Sequence, residues 1–119
     1  MNIKFIEKDE KFFDYILYRQ HITIDENGDN VKNLNLLGRD LRNVIIIDDI
    51  ANYFKLQKEN GINIKSFWAQ DPKDRALYDL IRILINIALE ENDVRDGLEK
   101  YKEDIIGRIT SNLYDYNLI

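Results

Sequence analysis

The chain has 119 residues, 45% of them hydrophobic and 33% charged, with one Pro, five Gly, no Cys and a net charge of −5. That is the composition of a single globular domain, able to bury roughly two-thirds of its unfolded surface, and it excludes disulfides, thiolate zinc sites and cysteine nucleophiles. Lys and Arg are spread along the chain rather than gathered in a block, which argues against nucleic acid as a partner, and no apolar run approaches the roughly 18 to 20 residues that span a bilayer.

The opening MNIKFIEKDE turns acidic too soon for a secretion signal, and Ile3, Ile6 and Phe13 give residues 1–14 only a short, marginal helical spacing. Tyr15 to Ile24 is rich in β-formers and is expected as a strand. Asn27-Gly28 is a tight-turn signal, since both positions tolerate positive φ. The stretch Asp25 to Asp29 has a superficial likeness to a calcium loop, but its Gly comes too early and no closing Glu follows, so the turn is the default. Val31 to Leu37 is a short return strand or an irregular segment. Val44-Ile45-Ile46-Ile47 is a β-branched run without alternation, the signature of a strand buried on both faces in a parallel sheet. It ends in Asp48-Asp49. After a turn at Asn60-Gly61, a second short strand is expected at Ile62 to Ile64.

The last third is helical. Asp71 is placed as an N-cap with Pro72 at the first helical position, and the helix runs to about Glu91. Its middle is apolar almost all round, as in a helix covered on more than one side. Asn92-Asp93 caps a further helix with Val94, Leu98, Tyr101, Ile105 and Ile109 on one face. Strands between helices make the class α/β.

Ligands of open α/β sheets bind beyond the carboxyl ends of the strands, so Asp48 and Asp49 stand where a hard cation could be held; one or two carboxylates suffice for magnesium. The plainer reading makes Asp48 the cap of a helix starting near Ile50 and Asp49 a solvated charge. Taken alone, Lys32 and Arg19 are surface cations, and His21, the only histidine, has a structural role.

Three stretches in order change that balance: Leu17-Tyr18-Arg19-Gln20-His21, then Val31 through Leu41 (VKNLNLLGRDL), then Ile45-Ile46-Ile47-Asp48-Asp49. With Gln57 through Trp68 (QKENGINIKSFW) and Asp93-Val94-Arg95, they resemble the NLI-interacting-factor, or small C-terminal-domain phosphatase, family of the haloacid-dehalogenase superfamily over about residues 12–99. The resemblance implies a partial haloacid-dehalogenase-like (Rossmann-like) sheet with flanking helices, its first core strand missing, in one N-terminally truncated domain over 1–119. Lys32 would neutralise phosphoryl charge, Asp48 and Asp49 would form the acidic motif at a Mg2+ site with Asp49 as metal ligand, and Arg19 would contact a phosphorylated peptide.

The family's D-x-D-x-[TV] nucleophile element is not in the chain, where no two aspartates stand two residues apart. Smaller departures are Asp49 where many relatives have Asn, Ile50-Ala51 in place of Ser-Pro, Asn63 in place of Pro, and a loop between Arg19 and Lys32 about one residue longer. The implied function is the C-terminal part of a Mg2+-dependent phosphoserine/phosphothreonine protein phosphatase, inactive by itself, nuclear or cytoplasmic, whose partner is a phosphorylated protein or peptide. The alternative is a non-catalytic peptide-binding module like the mitochondrial inner-membrane translocase receptor of the same fold, which is similar around Phe54-Lys55-Leu56-Gln57 and Glu59-Asn60-Gly61. A sheet edge left exposed would favour self-association.

Overall fold

The computed structural model describes residues 14–66, 73 and 75–108. Ile3, Ile6, Phe13, Asp71, Pro72 and Ile109, singled out above, lie outside them. The described part is a small α/β unit. An antiparallel pair, β1 (Thr23–Ile24) and β2 (Asn30–Val31), precedes a parallel pair, β3 (Ile46–Asp48) and β4 (Gly61–Asn63). Two helices follow, α1 (Ala76–Glu90) and α2 (Val94–Lys100), and residues 102–108 continue as a third, α3.

The β1–β2 turn forms where Asn27-Gly28 announced it. Gly28 takes φ +84°, the left-handed region that glycine enters without strain. Asp25 Oδ1 accepts the amides of Asn27 and Asp29, each at 2.9 Å, so the acid closes the loop from within. Lys55 Nζ then bridges Asp25 at 2.5 Å and Asp29 at 2.9 Å, which makes these two acids a lysine clamp and not a calcium loop.

The expected strand over Tyr15 to Ile24 shrinks to Thr23–Ile24. Arg19–His21 is instead a 3-10 turn, because His21 Nδ1 accepts the Tyr18 amide at 2.8 Å and the His21 amide returns to the Tyr18 carbonyl at 2.9 Å. Local closure wins where β-propensity finds no neighbouring ladder, since strand preference is mostly a preference for packing partners. Beyond β2, Val31 to Leu37 resolves into strand and then a 3-10 turn over Leu34–Leu37, capped by Asn33 and ended by Gly38 at φ +68°.

In the parallel pair Ile46, Ile47 and Asp48 stand opposite Gly61, Ile62 and Asn63. Parallel strands need a crossover of roughly a dozen residues, usually an α-helix. Here Ala51–Asn60 is a series of 3-10 turns, interrupted by non-helical backbone at Phe54 and Gln57. Asn60-Gly61 is therefore not a tight turn. Gly61 has φ −111° and opens β4, and its lack of a side chain serves packing, because a Cβ there would lie 2.2 Å from the Phe54 ring.

The core joins Ile62 of β4, Leu80, Ile83 and Ile87 of α1, Val94 and Leu98 of α2, and Ile105 of α3, with Ile45, Ile47 and Ile64 packed against it. Asp93 caps α2 as expected, accepting the Arg95 amide at 3.0 Å. The face read as one helix is broken at Tyr101 into α2 and α3. Two expectations of burial are not met among the described residues. Ile45, Ile46 and Ile47 are only half-buried, so β3 is covered on its core side alone. Helix α1, over Ala76–Glu90, buries a single stripe while Leu77, Ile81, Ile85 and Leu89 face outward. The same apolar residues that a second layer would cover stand exposed.

Substituting Gly61→Ala should destabilise the chain by about 1–3 kcal/mol, the usual range for overpacking a close contact. Urea denaturation should show a lower midpoint with an unchanged slope.

Candidate functional site

The parallel pair fixes the site. Side chains leaving the carboxyl end of β3 enter a cleft of about 520 Å³, lined by Lys32, Ile47, Asp48, Asp49, Ile64, Lys65, Ala76, Leu77 and Tyr78. Its floor is the end of β3 with Ile64 and Lys65 just beyond β4, and one wall is the first turn of α1, the crevice that an open α/β arrangement reserves for ligands.

Lys32 reaches this cleft from the end of β2. Its amide donates to the Tyr53 carbonyl at 2.7 Å, and its ammonium donates to Asp48 Oδ2 at 2.5 Å. Asp48 Oδ1 accepts the Ile50 amide at 3.0 Å. The Asp48 carbonyl takes the Ile64 amide at 3.0 Å and the Asn63 side-chain amide at 3.2 Å. The two readings of Asp48 are thus both realised: it caps the turn after β3 with one oxygen and meets Lys32 with the other. Asp49 is exposed and lines the same cleft.

Burial pushes the Asp48 carboxyl up, since its side chain is only 5% exposed. The Lys32 hydrogen bond, the Ile50 amide and the charge of Lys32 act the other way and together hold it below the ordinary carboxylate value. Lys32 itself is 41% exposed, so its ammonium is open to a ligand while paired with the acid.

Arg19 lies apart from the acids. It borders a second cavity of about 650 Å³, with His21 and the apolar residues Leu17, Leu34, Leu37 and Ile46 among its walls. Lys32 lines both cavities and is the residue that joins them. His21 is spent on the Tyr18 turn, in keeping with a structural role. Sequence reasoning missed Tyr53, whose ring centroid lies 5.3 Å from Lys32 Nζ. It also missed Lys65 and Tyr78 on the cleft wall. No periodicity or spacing signals such residues, because they arrive from separate elements.

As a donor set for a cation the cleft is partial. Among the described residues no three His, Cys, Asp or Glu side chains gather where they could hold a metal, and both Asp48 oxygens already have partners. Asp49 is the carboxylate facing the open cleft. Magnesium keeps several waters and needs only one or two carboxylates beside phosphate oxygens, so these residues fit it as a contributor of one inner ligand.

Residues 2–95 match the family described as NLI interacting factor-like phosphatase. Among curated proteins the chain is 39% identical over 89 residues to a CTD small phosphatase-like protein 2 of Dictyostelium discoideum, covering 74% of this chain and 15% of that one. It is 33% identical over 101 residues to a CTD nuclear envelope phosphatase 1B of Danio rerio, covering 85% and 36%. It is 37% identical over 91 residues to the mitochondrial import inner membrane translocase subunit TIM50 of Mus musculus, covering 76% and 25%. The chain therefore spans about a third or less of these relatives' lengths. No helix among the described residues is long and apolar enough to cross a membrane.

Because the paired, depressed Asp48 favours its charged form in the folded state, its contribution to stability is present above the unfolded pKa and is lost as pH falls through the folded one. Lys32→Met should remove the opposing charge, so that burial dominates and the Asp48 titration moves up. Carbon-detected carboxyl NMR should show that upward move, with a loss of about 1–2 kcal/mol at neutral pH, less than for a fully buried pair because Lys32 is solvated.

Proposed function

The chain belongs to the NLI interacting factor-like phosphatase family, and from that premise we propose that it carries the phosphate-facing part of a Mg2+-dependent phosphoserine/phosphothreonine protein phosphatase site. The observation that supports this most is the 2.5 Å approach of Lys32 to Asp48 at the mouth of the cleft beyond β3. Phosphoryl transfer asks of a protein chiefly positioning and positive charge around the equatorial oxygens. A partly exposed lysine held by a fixed acid meets that need, because it lines the open cleft where an anion can enter. Asp49 would hold magnesium, which when bound adds positive charge beside the phosphoryl oxygens and restrains them. Arg19, across Lys32 in the adjoining cavity, would meet the peptide carrying the phosphate.

These 119 residues contain no D-x-D pair, so the reading gives the chain a lysine and two acids and no aspartyl nucleophile. It predicts no turnover by the chain alone. In this reading the compartment is the nucleus or cytoplasm. Similarity to the translocase subunit supports a second reading, a peptide-binding module without chemistry and with a mitochondrial address.

Calorimetry with a phosphoserine peptide and its unphosphorylated twin separates the two. The phosphatase reading expects the phosphorylated form to bind at least tenfold tighter, the preference to grow with Mg2+ in a manner lost in Asp49→Ala, and Lys32→Met to abolish it. Equal affinity for both peptides would favour the binding module. Phosphate release from the peptide by the pure chain would contradict the assignment of no nucleophile.

Among the described residues β3 pairs with β4 alone, and this second edge together with the outward stripe Leu77, Ile81, Ile85 and Leu89 supports self-association of the chain. Sedimentation velocity should show concentration-dependent association that Ile85→Glu weakens. A monomer across the accessible concentration range would count against it.

A further inference from the structure

Lys32 carries the charge on which the proposed site relies, yet its side chain is too exposed to be fixed by burial. What fixes it is a closed circuit. Lys32 Nζ donates to Asp48 Oδ2, and Asp48 Oδ1 accepts the Ile50 amide at 3.0 Å. The Ile50 carbonyl accepts the Tyr53 amide at 3.0 Å, and the Tyr53 carbonyl accepts the Lys32 amide at 2.7 Å. Tyr53 is the corner of the circuit farthest from the acid, and it alone touches Lys32 twice: its carbonyl holds the backbone, and its ring lies 5.3 Å from the ammonium.

A flexible lysine held only by its backbone would sample several rotamers, and fixing one arrangement costs side-chain entropy. The negative face of an aromatic ring narrows that choice by attracting the ammonium, an effect of roughly 0.5–1 kcal/mol at exposed sites. Unlike a second carboxylate, a ring does so without neutralising the ammonium or competing for its N–H donors. We propose that Tyr53 is the positioning residue of this site, its ring face keeping the Lys32 ammonium on Asp48 and directed into the cleft. The part this plays in phosphate binding rests on the function proposed above; the restraint on Lys32 does not.

The test is the rate at which an amine-acylating reagent modifies Lys32 in the full chain, read by peptide mass spectrometry with the other lysines as internal standards. Tyr53→Phe keeps the ring and should label like the natural protein. Tyr53→Leu keeps the carbonyl but removes the ring, and Lys32 should label about two- to fivefold faster, as the loss of one exposed cation–π contact implies. Should the Leu variant fail to fold, a fluorinated phenylalanine at position 53 keeps the shape while emptying the ring face, and faster labelling is again expected. Equal rates in all variants, or a Phe variant as reactive as the Leu or fluorinated one, would overturn the proposal. Affinity for inorganic phosphate, measured alongside, separates the two ideas. Faster labelling with weaker phosphate binding supports the positioning role at a phosphate site. Faster labelling with no phosphate binding by any form retains the restraint and removes the phosphate reading.

Discussion

The ion pair between Lys32 and Asp48 ties together two parts of the chain sixteen residues apart. A buried carboxylate cannot remain charged without a partner, and an isolated one would shift toward its neutral form. Asp48 therefore requires Lys32 at a particular place, and the local fold is arranged to deliver it. The lysine clamp on Asp25 and Asp29 sets the β1–β2 loop, the backbone bond to Tyr53 sets the exit from β2, and the end of β3 sets the acid. Each contact is modest by itself. Their joint effect is to place a solvated cation beside a fixed anion at the rim of a cleft, the arrangement on which the phosphatase reading rests.

That arrangement was partly legible in the residues. The β-branched run ending in two acids announced β3 and the position of Asp48 and Asp49, because burial periodicity and strand-end chemistry are local signals. Asn27-Gly28 and Asp93 were legible for the same reason, since each acts on amides two or three residues away. Lys32 could be associated with Asp48 only through resemblance to a family, as no local rule connects positions so far apart. The structure then placed them in contact.

What could not be read depended on neighbours. Tyr15 to Ile24 has strand-forming residues but closes into a turn at His21, since among the described residues only Thr23 and Ile24 find a pairing strand. Asn60-Gly61 has the dipeptide of a tight turn, yet Asn60 is buried with its amide on the Leu41 carbonyl at 2.7 Å and the Val44 carbonyl at 2.9 Å, and Gly61 makes room for Phe54. The pattern on α1 announced a helix covered on more than one side, whereas among the described residues one stripe is buried and the opposite one exposed. It could not say how much of that surface these residues themselves would cover.

The broken crossover from Ala51 to Asn60 has one more implication. A regular helix there would spend its backbone groups on itself, whereas this path turns Tyr53, Gln57 and Asn60 toward residues 32–44, with Gln57 Oε1 taking the Leu34 amide at 2.6 Å. The two stretches are thus halves of one moulding, and change in either is constrained by the other. Anyone grafting the loop around Lys32 onto a different scaffold, or exchanging it between homologues to alter what is recognised, would have to transplant both pieces as a single cassette.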